Sequence, residues 1–465
     1  MKYISTRGQA PKLNFEDTLI TGLAADGGLY VPQFWPKLSF QEIESFRRFT
    51  FQEIAFKVMK PYVGDTFNDK EFQKIIEKAY SCFSSSDVCP LAELSENHFM
   101  LELFHGPTLA FKDVAMQLIA HMFDLILDRR DKRVTIVAAT SGDTGSAAME
   151  AFRGSNNANL FILFPDGGVS DVQRRQMTTV NESNVHALSI KGDFDDCQSI
   201  VKQMFKDPEF SQKVGLTAVN SINWARVLAQ TIYFFSSAAS LGAPNCKVNF
   251  TVPTGNFGDI FAGYVAKQMG LPIDRLVIAT NENDILHRTL KSGVYKKEGL
   301  VKTISPSMDI QVSSNFERLL FDLAGRNSEK IELMMNRLAD EGSFCLGNKL
   351  YENLLKEFSS GRASEANTLK TMKSIFALKK KLICPHTAVG IKVSQEDIFS
   401  DISNPIITLA TAHASKFPDA VKRATKVNPS LPTKYADLFK RNERVTVLEN
   451  SVSDAQKLIV ERIGN

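Results

Sequence analysis

Residues 133–192 decide the fold: RVTIVAAT (133–140), SGDTGSAAMEAF (141–152), ANLFILFP (158–165), VSDVQRRQMTTV (169–180) and NVHALSIKG (184–192). The first, third and fifth are short β-branched and apolar runs with the pattern of buried strands. The second and fourth read as helices, the fourth with Ser170 as its N-cap. DFDDCQSIVKQMF (193–205) continues the series as another helix. Parallel strands need a crossover, usually a helix, between them, so alternation at this spacing predicts a parallel sheet with helices on its faces.

Further along, the pattern pauses at the helix-like SINWARVLAQTIYFFSSAASL (221–241) and then resumes. CKVNFTVPT (246–254) reads as a strand and GNFGDIFAGYVAKQM (255–269) as the helix that follows it. DRLVIATN (274–281) and NPIITLATA (404–412) read as further strands. The expected class is α/β: two open twisted sheets with helices on both faces, meeting at a cleft. A mixed N-terminal domain takes residues 1–90, with helical stretches such as SFQEIESFRRFTFQEIAFKVM (39–59). A large α/β domain takes 91–125 and 230–465, with a helical, charged insertion at about 285–380; a small α/β domain takes 126–229. SSGRASEA (359–366) reads as a mobile loop.

Composition narrows the function. The 465 residues carry a net charge of only +3, which points to no nucleic-acid partner. The densest basic runs, Arg129–Arg133 and Lys379–Lys381, are short enough to be solvated helix ends. Six scattered cysteines with no CxxC pair argue against a disulfide framework or a zinc site, so no metal is expected and a reducing, cytoplasmic setting is. MKYISTRGQAPKLNF (1–15) lacks the apolar centre of a signal peptide, and no apolar run reaches the roughly 20 residues that span a bilayer.

Three segments place small residues where a strand hands over to a helix, the junction at which α/β proteins bind anions. In VPTGNFGDIFAG (252–263), Gly255, Asn256, Phe257 and Gly258 would present a row of N–H donors suited to a phosphate. The alternative is a tight turn that needs glycine for positive φ. In ATSGDTGSAAMEA (139–151), Ser141, Gly142, Asp143, Thr144 and Gly145 form a second donor-rich helix entry, suited to a carboxylate or phosphate unless Asp143 and Thr144 merely cap the helix. In LELFHGPTLAFKDVAMQ (101–117), a turn at Gly106-Pro107 precedes a helix beginning near Thr108, with Lys112 beside Phe111 in its first turns. Apolar neighbours and the helix dipole disfavour the ammonium form there, which makes the amine a better nucleophile towards an aldehyde. The competing reading is a lysine that snorkels to the surface.

A reactive lysine, a phosphate cup and an anion cup together are what an enzyme needs to hold pyridoxal phosphate as a Schiff base beside an amino acid. A fourth segment, CPHTAVG (384–390), offers Thr387 as a neutral hydroxyl for the cofactor's pyridine nitrogen, or else as a strand-end residue that caps a turn. His386 has no GxSxG elbow to complete a triad.

These segments resemble the threonine synthase family, within the tryptophan-synthase-β-like (fold type II) pyridoxal-phosphate enzymes. The likeness runs from STRG (5–8) and GLAADGGLYVP (22–32) through FHGPTLAFKD (104–113), ATSGDTGSAA (139–148) and VPTGNFGD (252–259) to PHTAVG (385–390). It is closest to the longer branch of bacteria and fungi. The resemblance implies that Lys112, next to Phe111, carries the cofactor and that Gly255, Asn256, Phe257 and Gly258 hold its phosphate. It further implies that Thr387 meets the ring nitrogen and that Ser141, Gly142, Asp143 and Thr144 bind the substrate carboxylate. Related enzymes outside this branch often carry Asn at the place of Asp143, so that position departs from their pattern.

The implied reaction turns O-phospho-L-homoserine and water into L-threonine and phosphate, in a monomer or weak homodimer. Arg7, Arg288, Lys291 and Asn283 are candidates to receive the substrate phosphate. Two other readings are compatible with the motifs. One is a phospho-lyase that releases 2-oxobutanoate and ammonia; the other is a non-catalytic α/β protein that keeps its phosphate cups for a ligand.

Overall fold

The computed structural model describes residues 1–396 and 404–464. CKVNFTVPT becomes the strand Val248–Pro253, buried at all six positions because parallel neighbours flank it and helices cover both faces. Around it runs a six-stranded sheet in the order Phe358–Arg362, Ile273–Thr280, Val248–Pro253, Ile406–Ala410, His98–Glu102 and Leu91–Ser95. All neighbours are parallel except the last pair, an antiparallel hairpin at one edge.

The run at 133–192 folds as read. Val134–Ala139, Ala158–Pro165 and Val185–Ile190 form the centre of a second, five-stranded parallel sheet, with Leu216–Thr217 at one edge. Ser170 caps the helix Asp171–Thr178 through a reciprocal box with Gln173. The other edge of this sheet is the C-terminal strand Thr446–Leu448, followed by the helix Val452–Ile463. The expected division had placed those residues with the larger unit. A strand of three residues gives little sequence signal, whereas parallel pairing with Val185–Ile190 puts these residues on the smaller sheet.

Two further expectations change. SSGRASEA is not a loop along its length: Phe358–Arg362 is an edge strand beside Ile273–Thr280. Its small residues are required by packing, since a Cβ at Gly361 would meet Val393 Cγ1 at 2.6 Å. The insertion at 285–380 also holds a two-stranded ribbon, Val294–Lys296 with Ser343–Cys345, among its helices. The N-terminal region is a short ribbon, Tyr3–Ser5 with Tyr30–Pro32, and helices including Phe51–Val63 and Asp69–Tyr80, each with a capping box. All six cysteines are free thiols. No helix among the described residues is long and apolar enough to cross a membrane.

Candidate active site

A cleft of about 820 Å³ opens at the carboxyl ends of the central strands of the larger sheet and faces the smaller one. Its walls bring together Phe111, Lys112, Ser141, Asp143, Thr144, Gly255, Asn256, Phe257 and Gly258.

Lys112 is the first residue of the helix Lys112–Arg130, which therefore starts four residues later than the sequence suggested. The preceding turn is held by Asp113 instead. Its carboxylate accepts from the Thr108 N–H at 2.7 Å and the Thr108 hydroxyl at 2.6 Å. A Cβ on Gly106 would strike the Asp113 Cβ at 2.4 Å, so the turn needs glycine for the close approach. Lys112 is 8% exposed and lies over the Phe111 ring, with its Nζ 4.5 Å from the ring centre. Burial is the main force pulling its pKa down; Asp143, at 3.4 Å, opposes this, while Arg226 and Lys416 add to it.

Asp143 opens the helix Asp143–Phe152 and is 3% exposed. It meets Lys416 Nζ at 3.0 Å and accepts from Gln173 Nε2 at 2.8 Å. Burial disfavours its charge, but Lys416 and Lys112 override that and hold the carboxyl well below the usual range. Thr140 supplies the side-chain acceptor at this helix entry, taking the N–H of Gly142 at 3.0 Å and of Gly145 at 2.8 Å. Two donors expected for a ligand are thus satisfied within the chain. What remains in the loop is the hydroxyls of Ser141 and Thr144 and first-turn N–H groups that have no intrahelical partner.

The glycine cup is shaped from outside. Ser313 Oγ donates to the Gly255 carbonyl at 2.6 Å, and Asn315 donates from N and Nδ2 to the Asn256 carbonyl, each at 3.0 Å. In a trans peptide the N–H points opposite the carbonyl. The Asn256 and Phe257 N–H groups are therefore turned away from these partners, in a loop whose residues 255–258 line the cleft. Phe257 takes a left-handed φ of 64°, and its ring is buried against Phe316 and Phe358. It contributes backbone to the cup and side chain to the core.

Thr387 lies in the first turn of the helix Pro385–Ser394, not at a strand end, with its Oγ1 3.2 Å from Cys384 Sγ. It is buried and does not line the cleft, whereas its neighbour His386 does. His386 Nε2 accepts from the Ser307 N–H at 3.2 Å, and burial lowers the ring's pKa to about 4, so the imidazole is neutral. The four residues proposed for a substrate phosphate do not line the cleft. Arg7 is paired with Glu317 at 3.1 Å and Arg288 with Asp284 at 2.9 Å. Asn283 is bonded to the Val301 carbonyl and Asp309.

The cation that does line the cleft is Arg226, which the sequence reading missed. It is 4% exposed, forms no ion pair among the described residues, and burial lowers its pKa to about 10. Its Nε has no partner, nor do Ser307 Oγ, Asp259 Oδ2 and His386 Nδ1, and all four residues line this cleft. Buried polar atoms left unpaired mark the place of a polar ligand. With a buried amine and a glycine-rich loop at 255–258 lining the same cleft, the arrangement fits an aldehyde cofactor that bears a phosphate.

The class is thus a pyridoxal-phosphate-dependent enzyme, and comparison agrees: residues 88–348 match the family described as pyridoxal-phosphate dependent enzyme. Residues 2–80 match the threonine synthase N terminus and 387–459 the threonine synthase C-terminal family. The threonine synthase of Pseudomonas aeruginosa is 49% identical, covering 100% of this chain and 99% of that protein. The crystal structure of PLP-bound threonine synthase from Brucella melitensis superposes with a TM-score of 0.97 at 52% identity, over 99% of each chain. The yeast threonine synthase structure gives 0.94 at 40%, over 100% of this chain and 99% of that one. The chain belongs to the threonine synthase family.

Proposed function

We propose that this chain converts O-phospho-L-homoserine and water into L-threonine and phosphate, with pyridoxal phosphate held at Lys112. The observation that carries the reading is a single cleft lined by a buried lysine amine and by a buried guanidinium that has no ion-pair partner among the described residues. When bound, the cofactor supplies an electron sink that makes substrate C–H bonds acidic.

The chain's residues do the rest. Lys112, whose neutral form burial favours, is placed to take a proton from a substrate carbon and return it. The 255–258 cup binds the cofactor phosphate through its backbone N–H groups. Ser141, Thr144 and the first turn at Gly142–Asp143 orient the substrate carboxylate. Arg226 receives the second phosphate, the leaving group, and its burial strengthens that attraction. His386, neutral, orders the Ser307 loop at the cleft wall. Thr387, one residue from the cleft-lining His386, is assigned the ring nitrogen on the family resemblance alone, since it does not line the cleft itself.

Six unpaired thiols support a cytoplasmic site of action, and the protein is proposed to work as a monomer or weak homodimer, which sedimentation would measure. The decisive experiment mixes the pure protein with O-phosphohomoserine and identifies the products. Threonine and phosphate in equal amounts are expected; 2-oxobutanoate with ammonia would replace this reading by the phospho-lyase. A purified protein with no visible absorbance after incubation with the cofactor would replace both by a binding protein.

A further inference from the structure

Two lysines share one carboxylate beside the cleft. Lys416 follows the central strand Ile406–Ala410 in the turn Ala414–Lys416 and is fully buried at 0% exposure. Its Nζ lies 3.0 Å from Asp143 Oδ1 and donates to the Thr108 carbonyl at 2.8 Å. Its own carbonyl accepts from Ser170 Oγ at 2.9 Å, the residue that caps the helix carrying Gln173. Lys416 thus links the large sheet to the small one through Asp143 and Ser170.

One carboxylate neutralises one ammonium, and a second buried ammonium left without a counter-charge is costly. Geometry decides which lysine carries that cost. Lys416 has two acceptors within hydrogen-bond distance, whereas Lys112 has only the far oxygen of Asp143 at 3.4 Å and an aromatic face. We infer that Lys416 is a positioning residue for Lys112: by occupying Asp143 it lets Lys112 present a neutral amine to the cofactor.

The inference rests on the reading of Lys112 as the cofactor's lysine. Only a neutral amine has the lone pair that bonds to an aldehyde carbon. The C=N bond then forms as the aldehyde oxygen leaves with both amine protons as water. The other charged or titratable groups facing Lys112 are Arg226, His386 and Asp259, with Asp113 behind Thr108 on the Lys416 side. Of these, Arg226 also disfavours the charged amine, but it forms no ion pair with Asp143, whose partners are Lys416 and Lys112. Without Lys416, Asp143 would be the undivided partner of Lys112 and would hold it as an ammonium.

The test is the pH dependence of cofactor association. The full-length protein is freed of cofactor with hydroxylamine, and pyridoxal phosphate is added between pH 6 and 10. Visible absorbance gives the rate, and borohydride trapping with peptide mapping identifies the lysine. Lys416→Met should move the midpoint of the rate profile upward by a unit or more, which is at least about tenfold slower loading at pH 7. Lys416→Arg, which keeps the charge, should stay near the parent. Asp143→Asn should move the midpoint down, and Lys416→Gln repeats the first arm if Lys416→Met does not fold. Midpoints unchanged in the folded variants overturn the role of Lys416. Trapping on a lysine other than Lys112 in the parent protein overturns the underlying reading instead.

Discussion

Ser313 fastens Gly255 from behind: its hydroxyl donates to the Gly255 carbonyl at 2.6 Å, while its own N–H donates to Tyr295 Oη at 2.8 Å. The orientation of the cup thus depends on a residue outside the glycine motif. Ser313→Ala should weaken pyridoxal-phosphate binding several-fold while costing about 1 kcal/mol of stability, the worth of one such bond. Equilibrium dialysis and a melting curve measure the two effects, and unchanged affinity would mean that the loop keeps its shape without Ser313.

Gly255 and Gly258 should separate under substitution. A Cβ at Gly255 would lie 2.5 Å from the Ser307 carbonyl, an atom of the backbone that cannot turn aside. At Gly258 the nearest atom is Asn315 Nδ2 at 3.4 Å, an ordinary contact. Gly255→Ala should therefore destabilise the fold by about 1–3 kcal/mol whether or not cofactor is present. Gly258→Ala should melt near the parent yet bind cofactor less well. If the second variant binds normally, the phosphate lies elsewhere in the cleft.

Arg226 should govern affinity for a phosphate anion. Replacement by Met removes an unpaired buried charge, so the fold should hold or gain stability. Competitive inhibition by inorganic phosphate should weaken at least tenfold, with KM for the phosphorylated substrate rising in parallel. An unchanged inhibition constant would show that another cation receives the leaving group.

At Thr387 the expected mechanism depends on the absence of a negative charge at the ring. Thr387→Asp would favour a protonated pyridine, over-stabilise charge at Cα and slow loss of the γ-phosphate. Turnover should fall sharply while transamination, read as a slow bleaching of the cofactor, rises. Thr387→Val should show a smaller loss without that side reaction. Parent-like rates and spectra in both would remove Thr387 from the site.

Acid should unfold this protein early. Burial holds His98, His121, His186, His386 and His413 at about 4, against 6.5 for a free imidazole. The unfolded chain takes up protons below 6.5 that the folded chain refuses. This contribution to stability is therefore whole above 6.5 and is lost as pH falls towards 4. At about 1.4 kcal/mol for each unit of separation, five such groups outweigh most single contacts. The Tm should drop by about 10 °C or more between pH 7 and pH 5, and calorimetry at fixed ionic strength would show it. A flat Tm across that range would mean these rings reach solvent.

The strand–helix handovers were legible because they combine two local signals, a buried apolar run and a small-residue helix entry. Lys112, Asp143 and the 255–258 cup lie on them and meet in one cleft. Arg226 and Lys416 were not legible. Nothing local in SINWARVLAQT or HASKFPD sets these cations apart, and only the packing of distant elements buries them. Phe358–Arg362 failed for the same reason in reverse. Serines and glycine carry loop character locally, and the strand exists because Ile273–Thr280 offers it a free edge. The Thr108 error is one of capping: Asp113 reaches back to close the turn, a contact that looks in sequence like the first turn of a helix.

The C-terminal strand has a consequence for how the protein is made. Thr446–Leu448 covers the flank of Val185–Ile190, and the helix Val452–Ile463 packs on Phe194–Lys206. During synthesis the smaller sheet therefore waits, with one row of backbone donors and acceptors bare, until residues 446–448 leave the ribosome. Nascent chains stalled before 446 should engage chaperones through that row, and a shortened protein should be lost to aggregation rather than to poor catalysis.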